Sequence, residues 1–208
     1  ATVNRQILPQ PVRIRAPNPP RQTKNGSRFR AEIRHRHFLN GFQVQFAASE
    51  IFTPGDRLDT LVAMNPAALV TNVADLKPHG LLIVDEDSFD ARDLKLANCD
   101  ENPLDSSEMD SYRLFKIPMT TLTRNAVEDL GLSVKIADRC RNFFAMGLIY
   151  WLYERDLEPT LQFIEEKFGG HPDIVAANEK ALRAGWNFGE TTEAFVSTYQ
   201  VDPADLPS

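Results

Sequence analysis

Met64-Asn65-Pro66-Ala67-Ala68 stands where an apolar run ends and a helical pattern begins. Loops of that kind collect anionic ligands in open α/β sheets, because the first helical N–H groups and the helix dipole point at whatever is bound there. The plainer reading of Asn65 is a helix cap: its side-chain oxygen accepts from a first-turn N–H, and Pro66 takes the first helical position, where a missing N–H costs nothing. A second polar group, Asp85-Glu86-Asp87 with Asp90 and Asp93 after it, follows another apolar run and offers oxygen ligands suited to a divalent cation. Solvated loop charges account for it more cheaply. His35 and His37 place two imidazoles on one face of an extended segment. No third ligand at helical spacing completes a zinc site, and charge compensation in a basic tract fits them better.

Cys99 lies among Asn98, Asp100 and Glu101, acidic company that makes a thiol a poor nucleophile. Cys140 falls within a strongly apolar helical pattern and reads as core. Two cysteines are too few for an iron–sulfur cluster, which usually takes four thiolates. One disulfide between them is open to the chain, but two cysteines without a secretory signal read more readily as reduced thiols of a cytoplasmic protein. The chain has no Gly-x-Ser-x-Gly elbow, no Gly-x-x-x-x-Gly-Lys-Ser phosphate loop and no Gly-x-Gly-x-x-Gly fingerprint. No residue is therefore assigned as catalytic or as a metal ligand.

The elements that must position these groups come from a chain of 208 residues, room for one ordinary domain or two small ones. Hydrophobic residues at 42 % and charged ones at 25 % argue against wholesale disorder and against a disulfide scaffold. No apolar run reaches the length of a membrane-spanning helix, so no membrane partner is expected. The charge is split. Residues 1–41 hold nine basic residues against Glu32 alone, so a segment at +8 joins a body at −14. Apart from Phe29 and Phe38 the basic segment lacks interleaved aromatics, and the body is acidic, which argues against a nucleic-acid partner.

Five prolines crowd the first twenty residues, where only Val12–Arg15 alternates like a strand. From Gly41 the texture changes, and Gly41–Phe46 alternates with Phe42, Val44 and Phe46 on one face. Thr53-Pro54-Gly55-Asp56 reads as a turn. Thr60–Met64 reads as a buried strand, Pro66–Leu76 as a helix presenting Leu69, Val73 and Leu76 inward and stopped by Pro78-His79-Gly80, and Leu81–Val84 as a second buried strand. That strand–helix–strand unit has the length of a parallel crossover. A short helix over 91–96, a strand over 112–118, and a helix capped by Thr120 or Thr121 and closed after Leu130 by Gly131 follow. Helices over 133–153, 159–168 and 172–184 complete the body, and residues 185–208 read as a polar tail. The fold class is α/β with a mostly parallel sheet and a helical C-terminal half.

Four stretches carry a resemblance. Asp59-Thr60-Leu61-Val62-Ala63-Met64-Asn65-Pro66-Ala67-Ala68-Leu69, Gly80-Leu81-Leu82-Ile83-Val84-Asp85, Asn142-Phe143-Phe144-Ala145-Met146-Gly147 through Trp151-Leu152-Tyr153, and Ala184-Gly185-Trp186-Asn187-Phe188-Gly189-Glu190-Thr191-Thr192-Glu193-Ala194 resemble the gamma domain of 2-oxoacid:ferredoxin oxidoreductases, in the type found at the front of the alpha subunit of the 2-oxoglutarate enzymes. Asn102-Pro103-Leu104, Thr121-Leu122-Thr123 and Leu157–Leu161 agree with it. The resemblance covers residues 42–200 and leaves 201–208 as a tail. It implies a three-layer α/β/α domain inside an enzyme that decarboxylates a 2-oxoacid oxidatively, forms an acyl-coenzyme A and passes electrons to ferredoxin. It also implies that thiamine diphosphate and the iron–sulfur cluster sit on other domains or on a thiamine-binding beta subunit. This domain is then expected to support coenzyme A binding and subunit assembly. Carried over by position, Met64, Asn65 and Pro66 form the strand-end loop, and Gly189, Glu190, Thr191 and Thr192 the polar C-terminal motif.

The departure is at the front. Where the family opens with a strand, a glycine-rich loop and a helix, this chain has Val12–Ala16 followed by Pro17-Asn18-Pro19-Pro20, and proline removes the N–H groups such a loop would offer an anion. Residues 1–41 therefore read as a diverged or miscoded replacement of that opening, or as a basic arm with another role. The other class of function open to the chain is a stand-alone binding or scaffold module.

Overall fold

In the computed structural model, which describes residues 30–35, 42–47 and 57–192, the alternating segment after Gly41 forms a strand. It is the second in the chain. β1 (Arg30–His35) and β2 (Phe42–Ala47) pair antiparallel, from Arg30 against Ala47 to His35 against Phe42. β1 hides in the basic tract because charged residues fill its polar positions, yet Ala31 and Ile33 keep the same period of two. The expected strand at Val12–Arg15, the loop Pro17–Pro20, His37, the turn at Thr53 and residues 193–208 lie outside the described residues. The chain divides into two compact units, residues 1–54 with 201–208 and residues 55–200.

The second unit is built on three parallel strands in the order β3-β4-β5: β3 (Leu58–Ala63), β4 (Leu76–Asp85) and β5 (Arg113–Ile117). β4 starts earlier than the sequence pattern predicts. The helix after β3, α1 (Pro66–Asn72), stops after seven residues, a short 3-10 turn covers Val73–Asp75, and Leu76 already pairs with Leu58. Leu76 is therefore buried as a strand residue and not on a helix. Pro78 and Gly80 do not stop a helix. They sit in an irregular stretch of β4 where the register jumps from Leu58–Leu76 to Thr60–Leu81 and His79 takes a left-handed φ of 61°.

Both faces of this sheet are covered, as the alternation requires. Leu81 and Ile83 face one layer with Ile117, while Leu82 and Val84 face the other with Leu61, Ala63 and Leu69. The first layer is α3 (Met119–Ala126), α4 (Val134–Leu152), α5 (Glu158–Phe168) and α6 (Pro172–Thr191). The second is α1, α2 (Ala91–Leu96) and the 3-10 turns around Leu104 and Met109. The three-layer α/β/α expectation holds for this unit. Gly131 closes the α3 segment with a left-handed φ of 61°, where glycine has no Cβ to strain.

α6 corrects the sequence reading most. It runs seven residues past Ala184, so Gly185–Thr191 is helix and not polar tail. The reason is packing. A Cβ on Gly185 would overlap the Phe144 carbonyl oxygen, and one on Gly147 the Leu182 carbonyl oxygen, so the two glycines let the backbones of α4 and α6 touch. Each glycine costs a helix about 1 kcal/mol of propensity against alanine. The close approach buries Phe144, Leu148, Ala181 and Leu182, and a buried leucine or phenylalanine side chain contributes about 2 kcal/mol, which outweighs that cost.

Candidate functional site

The loops after β3, β4 and β5 meet at the carboxyl edge of the parallel sheet, where open α/β sheets bind ligands. After β3, Asn65 is extended and its Oδ1 accepts a 2.8 Å hydrogen bond from Ala68 N. Pro66 is the first helical residue and is buried, and Met64 is half-buried against the layer of α3 to α6. Asn65 is thus the cap of α1, as its plainer reading held. Its amide nitrogen is by chemistry a donor.

After β4 the acidic run does something the sequence reading missed. Asp85 is not solvated: its side chain is 0 % exposed. Asp85 Oδ2 accepts from Thr120 Oγ1 at 2.7 Å and from Ser88 Oγ at 3.0 Å, and Oδ1 accepts from Thr120 N at 3.2 Å. Arg141 closes the group from α4. Its Nη1 donates to Ser88 Oγ at 2.9 Å and to Thr120 Oγ1 at 3.2 Å, and lies 3.5 Å from Asp85 Oδ2. A buried carboxylate survives only when charge and hydrogen bonds compensate its lost hydration, and here both do. Asp87 is exposed and accepts from Thr121 N at 2.7 Å. Thr120 and Thr121 were expected to cap α3 themselves. Instead Asp85 at the end of β4 and Asp87 in the turn after it accept their backbone N–H groups, and Pro118 stands at the cap position. The signal was present: with a period of two, Asp85 follows Leu81 and Ile83 onto the face that α3 and α4 cover.

Among the described residues no group of three or more His, Cys, Asp or Glu side chains is placed to hold a metal ion. Cys140 is buried on α4, and burial pushes its thiol up to about 11. Cys99 is half-buried, and both cysteines are free thiols. No described helix is long and apolar enough to cross a membrane.

The other expected motif lies at the opposite end of α4. Gly189 is buried with its backbone against the Trp151 indole, where a Cβ would clash with the ring. Glu190 and Thr191 are exposed, Thr191 Oγ1 donates to Asn187 O at 2.7 Å, and Thr192 N closes α6 on Phe188 O at 3.0 Å. α4 runs antiparallel to the strands: Arg141 meets the end of β4, while Tyr153 OH shares a 2.8 Å hydrogen bond with Thr60 Oγ1 near the start of β3. Arg141 and Trp151 are ten residues apart, about 15 Å at the helical rise. Met64–Pro66 thus stand at the carboxyl edge of the sheet, while Gly189 packs on Trp151, two residues before the Tyr153 that bonds Thr60 within β3.

Residues 22–188 match the family model described as pyruvate ferredoxin/flavodoxin oxidoreductase. The chain belongs to that family. The match begins inside the basic opening and ends just before Gly189. The 2-oxoglutarate oxidoreductase subunit KorA of Mycobacterium tuberculosis (strain ATCC 25618 / H37Rv) is 50 % identical over 169 residues, which is 81 % of this chain and 26 % of the relative. The 2-oxoglutarate:ferredoxin oxidoreductase from Magnetococcus marinus, solved with 2-oxoglutarate, coenzyme A and succinyl-CoA bound, superposes with a TM-score of 0.56 at 18 % identity, over 79 % of this chain and 25 % of that one. At that identity the likeness is one of fold. The chain spans about a quarter of the length of each of these family relatives.

Proposed function

We propose that this chain is the gamma-type domain of a cytoplasmic 2-oxoglutarate:ferredoxin oxidoreductase, an enzyme that forms an acyl-coenzyme A by oxidative decarboxylation, and that the domain supports coenzyme A binding and subunit assembly. The observation that carries this is the 50 % identity over 169 residues to the mycobacterial 2-oxoglutarate oxidoreductase subunit. The fold shared with an enzyme solved with coenzyme A bound agrees with it. An iron–sulfur cluster does not fit here, since the chain has two cysteines and one of them is a buried thiol held protonated. The cluster and thiamine diphosphate belong, in this reading, to other domains and to the beta subunit, with ferredoxin as acceptor of the whole enzyme.

The roughly 15 Å along α4 supports giving the two expected stretches different duties. Met64, Asn65 and Pro66 stand at the ligand edge and are assigned to coenzyme A. Gly189, Glu190, Thr191 and Thr192 end a helix away from that edge and fit the assembly role better than a direct coenzyme contact.

The test is the assembled enzyme. Purified with its thiamine-binding partner, it is expected to reduce ferredoxin only when both 2-oxoglutarate and coenzyme A are present. Asn65→Ser keeps a capping oxygen and loses the amide donor, so it is expected to raise KM for coenzyme A several-fold and leave KM for 2-oxoglutarate unchanged. A chain that brings down no thiamine-containing subunit and runs as a monomer or homodimer would falsify the reading and favour a stand-alone module.

A further inference from the structure

Arg141 is fastened through one nitrogen. Its Nη1 donates to Ser88 Oγ and Thr120 Oγ1 and lies 3.5 Å from the buried Asp85 carboxylate. Among the described residues no acceptor meets its Nε or Nη2, neither nitrogen is sealed in the interior, and the side chain is 30 % exposed. Those two nitrogens form one edge of the guanidinium, a planar fork that matches two oxygens of a single carboxylate or phosphate. Arg124 on α3 shows the same fork filled: its Nε and Nη2 hold the two carboxylate oxygens of Asp138 at 2.6 and 3.0 Å. In Arg141 that fork opens at the surface.

It does so at the carboxyl edge of the sheet. Ala63 pairs with Val84 and Asp85 with Ile117, so the loops that begin at Met64, Glu86 and Pro118 leave the sheet at one level. Met64 packs against the helical layer that carries Arg141. The nearby carboxylates are directed elsewhere: Asp85 accepts from Thr120 and Ser88 and faces Nη1, and Asp87 accepts from Thr121 N. A guanidinium already held by three groups gives up little further freedom when it binds a guest. A phosphate monoester suits such a fork best, because it brings two negative charges and three free oxygens, whereas each phosphorus of a diphosphate bridge carries one charge and is flanked on both sides. We propose that Arg141 grips the terminal phosphate monoester of coenzyme A, its 3′-phosphate, through Nε and Nη2. This rests on the proposed function, which assigns coenzyme A to this edge, and adds the residue that reads it and the part that is read.

The test compares coenzyme A with dephospho-coenzyme A, which lacks that one phosphate, in the assembled enzyme. Arg141→Lys keeps a cation facing Asp85 and removes the fork. It is expected to raise KM for coenzyme A about tenfold and to leave KM for dephospho-coenzyme A and for 2-oxoglutarate within about twofold. The unsubstituted enzyme is expected to show a KM for dephospho-coenzyme A about tenfold above that for coenzyme A, a comparison that holds even where the variant does not assemble. Equal KM values for the two coenzymes in the unsubstituted enzyme, an unchanged KM for coenzyme A in the variant, or a loss of the same size with both coenzymes, the mark of a merely structural arginine, each overturn the inference alone. Turnover that needs no coenzyme A would overturn the proposed function and this inference with it.

Discussion

The two ends of α4 are held by opposite means. Near its start, Arg141 joins Asp85, Ser88 and Thr120 in a buried polar group in which hydrogen bonds and charge replace lost water. Farther along, Gly147, Gly185 and Gly189 let backbone meet backbone and indole with no side chain of their own between them. The comparison teaches that residue type alone does not say which side chains are structural. The carboxylate of Asp85, in the most acidic run of the chain, is sealed inside, while Glu190, next to a buried glycine, faces solvent.

The comparison can be broken most forcefully at Asp85. Asp85→Ala leaves Arg141 and Thr120 facing a gap without their acceptor, and breaking a buried pair in this way costs about 3–5 kcal/mol in chemical denaturation. Asp85→Asn, which keeps an acceptor, should cost clearly less. Gly185→Ala forces α4 and α6 apart and is expected to cost about 3 kcal/mol, a loss that no change of salt or pH relieves. A cost below about 1 kcal/mol would mean that the helices do not touch backbone to backbone.

Cys140, one residue before Arg141, sharpens the same contrast through pH. Its folded value of about 11 stands above the ordinary 9.0, because burial disfavours the thiolate. The unfolded chain therefore ionises this thiol first as pH rises. The protonated buried thiol is fully favourable below pH 9, and stability declines as pH climbs through 9 towards 11, by about 1 kcal/mol at pH 10. Cys140→Ala should flatten that slope in denaturation curves, and iodoacetamide at pH 8 should modify Cys99 before Cys140. The smallest effect is expected at Asp87, whose exposed carboxylate only caps α3: Asp87→Ala should lower stability by about 1 kcal/mol or less.

Much of this arrangement was legible in the residues. Consecutive apolar runs marked β3 and β4, Asn65-Pro66 marked the start of α1, and Gly131 marked the end of the α3 segment. What escaped reading has identifiable causes. Gly185–Thr191 read as part of a polar tail, whereas Gly185 and Gly189 both face α4 at a spacing of four and are required by the contact. Leu76 fits a helical stripe and a strand equally well, and only its pairing with Leu58 decides. Asp85 was grouped with its acidic neighbours when its alternation with Leu81 and Ile83 pointed inward. Where Gly189 falls against the sheet depends on the direction of α4, which no local pattern encodes.

That direction has a mechanical side. α4 is fastened to the sheet near both ends, by Arg141 on Asp85 and by Tyr153 on Thr60, and between these points the glycine contacts lock it to α6. A rod pinned at two places and keyed to a second rod resists sliding along the sheet. The same fastening spreads a load on one end of α4 over the sheet and α6 together, as a cross-braced strut does.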